Sequence, residues 1–175
     1  MHTKAVFRSA QALAAAGFDV LRFNFRGVGT STGSYGNGIG EQEDVRAALD
    51  WMEARSPGEP ILLGGFSFGS KVALRVGIED PRAAALIGLG LPLSTNDFTF
   101  LDGLSKPLLI VQGEFDEFGG RAEIEAFVAT LRGELSLAVI PESDHYFHDH
   151  FEELQAVIGE YVRVGAGSRP FAAHR

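Results

Sequence analysis

The chain predicts an α/β protein, a three-layer α/β/α sandwich around a mostly parallel sheet. Three observations carry this. Strand-length apolar runs alternate with helix-length amphipathic segments from residue 4 to residue 162. The strand-like runs, such as Leu108-Leu109-Ile110-Val111, are continuous rather than alternating, as in a sheet covered on both faces. The length of 175 residues fits one domain able to bury a substantial core.

The elements follow in order. Residues 4–16 predict a helix with Val6, Phe7, Ala10 and Leu13 on one face, stopped by Gly17. Phe18 to Phe25 predicts a strand, and Gly27 to Gly40 a glycine-rich loop. Glu41-Gln42-Glu43-Asp44 opens the next helix, where acidic residues suit the positive end of the dipole, and Val45, Ala48, Leu49 and Met52 form its apolar stripe. Pro60 to Leu63 is a second strand, followed by a tight turn and a helix over 70–76. Ala84 to Gly90 is a third strand, 91–106 an apolar loop, and Pro107 to Val111 a fourth strand. Residues 121–132 predict a helix carrying Ile124, Phe127, Val128 and Leu131 on one face and stopped by Gly133. Leu135 to Ile140 is a fifth strand, and a last helix runs from about Phe151 to Val162. The domain spans 1–164, and 165–175, rich in Gly, Ala and Arg, is expected to fray.

Composition narrows the function classes. An apolar content of 45% and a charged content of 22% are those of an ordinary globular protein. A net charge of −8 argues against nucleic acid and anionic membrane as partners, since both call for basic patches. There is no cysteine, which excludes disulfides, thiolate catalysis and Cys-ligated zinc. The apolar runs are far shorter than the ~18–20 residues of a membrane helix, and the first residues lack the apolar core of a signal peptide. A cytoplasmic location is therefore expected.

The most informative motif is Gly65-Phe66-Ser67-Phe68-Gly69, a G-x-S-x-G between a strand and a helix. In that context the serine is a nucleophile, pushed out at the strand end against a helix N-terminus that favours developing negative charge. The sharp turn brings backbone close on both sides, which predicts that a Cβ would clash at Gly65 and at Gly69.

Function in an open parallel sheet gathers at the carboxyl ends of its strands. Ser67 ends the second strand, Glu114-Phe115-Asp116-Glu117 follows the fourth, and Asp144-His145-Tyr146-Phe147-His148 follows the fifth. Serine, acid and histidine in this order can activate a hydroxyl: a neutral imidazole takes its proton, and a carboxylate fixes the imidazole tautomer. Glu114, Asp116 and Glu117 are all candidates for the acid, and His145, His148 and His150 for the base. A metal site in the Asp144–His150 cluster lacks nameable ligands elsewhere, and no cofactor is expected.

These stretches, with Arg22-Phe23-Asn24-Phe25-Arg26-Gly27-Val28-Gly29 and Asp97-Phe98-Thr99-Phe100-Leu101, resemble the α/β-hydrolase superfamily. The nearest group within it is one of small, lidless, bacterial cytoplasmic serine hydrolases. The resemblance runs from Met1 to about Val162. It implies Ser67 as nucleophile, Asp116 as acid, three residues past the strand-end Gly113, and His145 as base, directly after Asp144. The backbone N–H of Phe68 would be an oxyanion-hole donor. His148 then reads as a loop or capping residue.

The same resemblance implies strands upstream of residue 4, one of them lying between the 18–25 strand and the second strand. It also implies a second oxyanion donor from a loop that this chain does not carry. Two expectations follow: the chain corresponds to the downstream part of a longer product, or the sheet closes up in a minimal form, as a monomer or a homodimer.

Two near-misses are excluded. Gly64 to Lys71 inverts the Lys-Ser/Thr order of a phosphate-binding loop, and Gly27-Val28-Gly29-Thr30-Ser31-Thr32-Gly33 is not a dinucleotide fingerprint. The expected activity is hydrolysis of small short-chain carboxylic esters, with Phe98, Phe100 and Leu101 either lining a shallow substrate pocket or filling the core. The alternative is a non-catalytic binding domain.

Overall fold

Most of the apolar runs become strands, and the amphipathic segments become helices, in the computed structural model, which describes residues 3–164. In chain order the elements are α1 (Lys4–Ala15), α2 (Gly40–Arg55), β1 (Ile61–Phe66), α3 (Phe68–Glu79), β2 (Ala83–Leu89), β3 (Leu108–Gly113), α4 (Arg121–Val128), β4 (Leu135–Ile140) and α5 (Phe151–Val164). A short 3-10 turn, Thr99–Gly103, lies in the loop after β2. The strands are all parallel, in the order β1-β2-β3-β4. Parallel neighbours need crossovers, and α3, the 3-10 segment and α4 supply them. The tail over 165–175 lies outside the described residues.

The pleat divides the side chains between two cores. Leu108 and Ile110 of β3 meet Val72 and Val76 of α3 and Ile124 of α4, while Leu109 and Val111 meet Leu154 and Ile158 of α5. Both faces of the strand are thus covered, which is why its sequence is a continuous apolar run. Among the described residues no helix is long and apolar enough to cross a membrane.

The Phe18–Phe25 strand is not formed. Among the described residues the segment is without assigned secondary structure and joins no ladder, and β1 is one edge of the sheet. The reason is that strand-like composition forms no ladder on its own, without a partner within hydrogen-bonding reach. The sheet therefore does not close up by pairing this segment with β1. Between them lies a cleft of about 690 Å³, lined by Leu13, Leu21, Phe23, Leu49, Leu62 and Gly64 among others. Ile61 and Ser67 donate their N–H groups to Arg82 and Leu89 on the β2 side. By the alternation of a strand, the backbone groups of Leu62, Gly64 and Phe66 point the other way, to the open side.

Two helices depart from their predicted form. Val6, Ala10 and Leu13 of α1 line the cleft, and Phe7 is exposed under the Arg22 guanidinium, 5.1 Å from the ring centroid. The buried face is one step round, at Ala5, Ser9 and Ala12, because α1 packs on α5 through small side chains. Buried Ser9 is satisfied by donating to the Ala5 carbonyl at 2.8 Å. Helix α4 stops at Val128, where Thr130 and Leu131 donate to carbonyls three residues back and tighten the chain into a turn.

Candidate active site

Ser67 sits between the last residue of β1 and the first of α3, with φ 53° and ψ −126°. A non-glycine residue held there carries roughly 1–3 kcal/mol of backbone strain. The turn is tight on one side only. A Cβ at Gly65 would lie 2.1 Å from the Gly69 carbonyl oxygen, whereas a Cβ at Gly69 would meet nothing nearer than the Phe25 ring, at 3.7 Å. The expected clash thus holds for Gly65 and is corrected for Gly69. Phe68, the first residue of α3, carries one of the N–H groups that a helix leaves without an internal acceptor.

The strand-end loops bring the acid and the histidine to this serine. Ser67 Oγ lies 2.9 Å from His145 Nε2, and His145 Nδ1 lies 2.8 Å from Asp116 Oδ2. A carboxylate only accepts, so Nδ1 carries the hydrogen in the neutral ring and Nε2 presents its lone pair to the hydroxyl. The loops can approach because Gly113 has no side chain: a Cβ there would lie 2.4 Å from the Asp144 carbonyl oxygen. His145 and Asp116 are both buried, and the imidazole is packed by Phe66, Phe118 and Tyr146, with ring centroids at 5.0, 4.7 and 5.1 Å.

The rival residues are engaged elsewhere or exposed. Glu114 pairs with Arg121 at 2.9 Å and accepts the Glu142 N–H, and these donors hold its carboxyl below the usual range. Glu117 is exposed. His148 lies in the loop with its Nδ1 2.7 Å from Asp144, and His150 is near Glu153. Burial raises the Asp144 carboxyl, but the His148 ring and the backbone N–H groups of His148 and Tyr146 outweigh it and lower the value. Among the described residues no group of three or more His, Asp or Glu could hold a metal ion.

Phe98 and Leu101 are core residues, packed with Ile124 and Phe127, and so are not brought to Ser67. Phe100 stacks on the Arg75 guanidinium at 5.2 Å, about two turns along α3 from the serine. The aromatic rings that do flank the site are those around His145 and, on the other side, Phe68 with Phe25 and Tyr35, at 5.9 and 5.6 Å. The large cleft along β1 includes none of Ser67, Asp116 or His145.

Two polar residues at the site escape a reading of motifs. Buried Glu41 accepts the N–H groups of Gly36 and Gly38, both at 2.8 Å, and so pins the loop whose Gly38 faces the Phe68 ring. Burial raises its carboxyl, yet the backbone donors and Arg26 outweigh burial and hold it below the usual value. The loop's other end is tied by Arg26, whose side chain grips Asp44 with contacts of 2.8–3.1 Å and keeps the Asp44 carboxyl low. The second is Gln112, wholly buried and 2.8 Å from Asp116 Oδ2. Its sequence signal is a lone polar side chain at a core-facing position of an apolar strand.

A strained serine at a strand-to-helix turn, joined through a buried histidine to a buried carboxylate at the next strand ends, defines an α/β protein with a serine-hydrolase arrangement. Comparison with known proteins agrees. Residues 1–156 match the alpha/beta hydrolase domain family, and the chain belongs to that family. An uncharacterized protein of Rickettsia prowazekii is 33% identical over 171 residues, 93% of this chain and 72% of that protein. An alpha-beta serine hydrolase homologue of Coxiella burnetii superposes with a TM-score of 0.87 at 36% identity, over 93% of this chain and 77% of that one. A serine hydrolase without a lid from Xanthomonas campestris gives 0.85 at 36% identity, over 93% and 74%.

Proposed function

We propose that the protein is a serine hydrolase cleaving small, short-chain carboxylic esters through an acyl-enzyme. The observation that carries this reading is the unbroken Ser67–His145–Asp116 relay, with contacts of 2.9 and 2.8 Å. His145 Nε2 takes the Ser67 proton as Oγ adds to the ester carbonyl. The tetrahedral oxyanion is held by the Phe68 N–H and the α3 N-terminus. Its collapse breaks the bond to the alkoxy group, which leaves as an alcohol with the proton from His145. Water, deprotonated by His145, then adds to the acyl group, and collapse returns Ser67 and releases the acid. Asp116 keeps Nδ1 protonated and balances the imidazolium charge throughout. The likeness to a lidless hydrolase supports a shallow site, which favours short acyl chains.

The test is intact mass after exposure to a fluorophosphonate, on folded wild type and Ser67→Ala, with p-nitrophenyl esters of increasing chain length beside it. One adduct on the wild type and none on the variant is expected, with turnover falling as the acyl chain lengthens. No adduct on folded wild type would transfer the reading to a non-catalytic binding domain. Turnover rising with chain length would remove the short-chain assignment alone.

A further inference from the structure

Gln112 occupies a position in β3 that the alternation of the strand assigns to the core, on the same face as Leu108 and Ile110. A side-chain amide there must find partners or destabilise the fold. It finds them among the strand-end loops. Its Oε1 accepts the Leu91 N–H at 2.8 Å. Since an N–H group can only donate, this contact fixes which end of the amide faces which loop. Nε2 therefore faces the other way, 2.8 Å from Asp116 Oδ2, 2.8 Å from the Gly119 carbonyl and 3.2 Å from the Leu91 carbonyl.

Asp116 Oδ2 is also the oxygen that receives His145 Nδ1, while Oδ1 receives the Phe118 N–H at 2.8 Å. Three donors thus define the plane and position of a carboxylate with no exposed side-chain surface. Phe118 fixes one oxygen. Without Gln112, the other would be held by the imidazole alone, the group whose orientation it is meant to set.

We propose that Gln112 is a positioning residue of the reaction: by holding Asp116 Oδ2, it fixes the tautomer and angle of His145 toward Ser67. This rests on the serine-hydrolase reading above. A neutral amide suits the place. It donates to the carboxylate without adding charge beside a relay that develops a positive imidazolium, and its oxygen ties the Leu91 loop to the same point.

The variants are Gln112→Glu, which keeps the Leu91 contact but turns a donor into a second carboxylate, and Gln112→Met, which removes both. With p-nitrophenyl acetate, kcat is expected to fall about 10- to 100-fold in each, by analogy with the loss of groups that orient metal-bound histidines, with KM nearly constant. The titratable side chains against His145 are Asp116 and Tyr146, and a carboxylate at 112 adds negative charge to that set. The acid side of the Gln112→Glu activity profile is accordingly expected to move to higher pH. A folded Gln112→Glu protein with wild-type kcat and an unmoved profile would reduce Gln112 to a structural residue.

If neither variant folds, wild-type NMR decides. The Gln112 side-chain amide resonances are expected to shift as His145 gains its proton and when Ser67 carries the phosphonate. Resonances unmoved by both would overturn the proposal. Absence of any wild-type turnover or adduct would instead overturn the hydrolase reading, and Gln112's role in it.

Discussion

At Ser67 the backbone conformation and the chemistry are the same fact. The serine is held at positive φ because the chain must reverse between β1 and α3 within one residue, and the reversal leaves Oγ facing His145. The two flanking glycines do not share the burden. Gly65→Ala would drive a methyl against the Gly69 carbonyl, only 2.1 Å away, so the turn must open. Such overpacking costs about 1–3 kcal/mol, and we expect Gly65→Ala to lower the unfolding midpoint and slow phosphonylation at least about 100-fold, in line with loss of aligned geometry. Gly69→Ala has room beside Phe25 and lies in the first turn of α3, where the preference for Ala over Gly is at most the helix-interior difference of about 0.8–1 kcal/mol. Its midpoint is expected to stay level or rise, and it should still label. Equal damage from both substitutions, read by thermal unfolding and intact mass, would mean that the elbow is tight on both sides.

Elements place these residues, and one element is placed by a single carboxylate. The loop ahead of α2 is pinned by buried Glu41, which accepts two backbone N–H groups. Replacement by Gln presents a donor where two donors already converge, and the mismatch should destabilise by about 1–3 kcal/mol near neutral pH. The Glu41 carboxyl is lowered by folding, so its contribution is full above the unfolded value and fades as the pH falls through the lower folded value. Denaturant unfolding of wild type and Glu41→Gln should therefore differ most at pH 7, and the gap should begin to narrow as the pH falls below the free glutamate value of about 4.3. A gap that does not narrow on acidification would argue against a charged anchor. The sequence announced Glu41 only as a first-turn acid, since its targets at Gly36 and Gly38 depend on how the loop folds back. What was legible is instructive: β1 to β4, both helical layers, and the strand ends carrying Ser67, Asp116 and His145 all follow from apolar runs and chain order. The partners of Phe18–Phe25, and the side to which Phe98 and Leu101 turn, depend on neighbours distant in sequence. Local pattern therefore makes a strand of Phe18–Phe25 and leaves Phe98 and Leu101 open between pocket and core. Gln112 lies just past the Pro107–Val111 run, and its use depends on Asp116 standing beside it in the fold.

On the scale of the whole molecule, β2 and β3 are paired on both sides, β1 and β4 are the two edges, and the edge beside a cleft is the outer side of β1. There Gly64 is exposed and a cleft of about 690 Å³ separates the strand from residues 18–23. An unpaired strand edge is both a weak point and a template for another strand. The net charge of −8 opposes self-association through it. Hydrogen exchange separates these possibilities. The amides of Leu109, Ile110 and Val111 belong to a strand paired on both sides and should exchange only through global opening. Those of Leu62 and Gly64, turned to the cleft, should exchange at nearly unprotected rates, while Leu63 and Gly65, turned to β2, should be intermediate. Exchange should be followed by NMR across a range of protein concentrations. Protection of Leu62 and Gly64 that grows with concentration would identify a second copy pairing on the edge. Protection independent of concentration would place a partner from the same chain there, and would contradict the open edge described for β1.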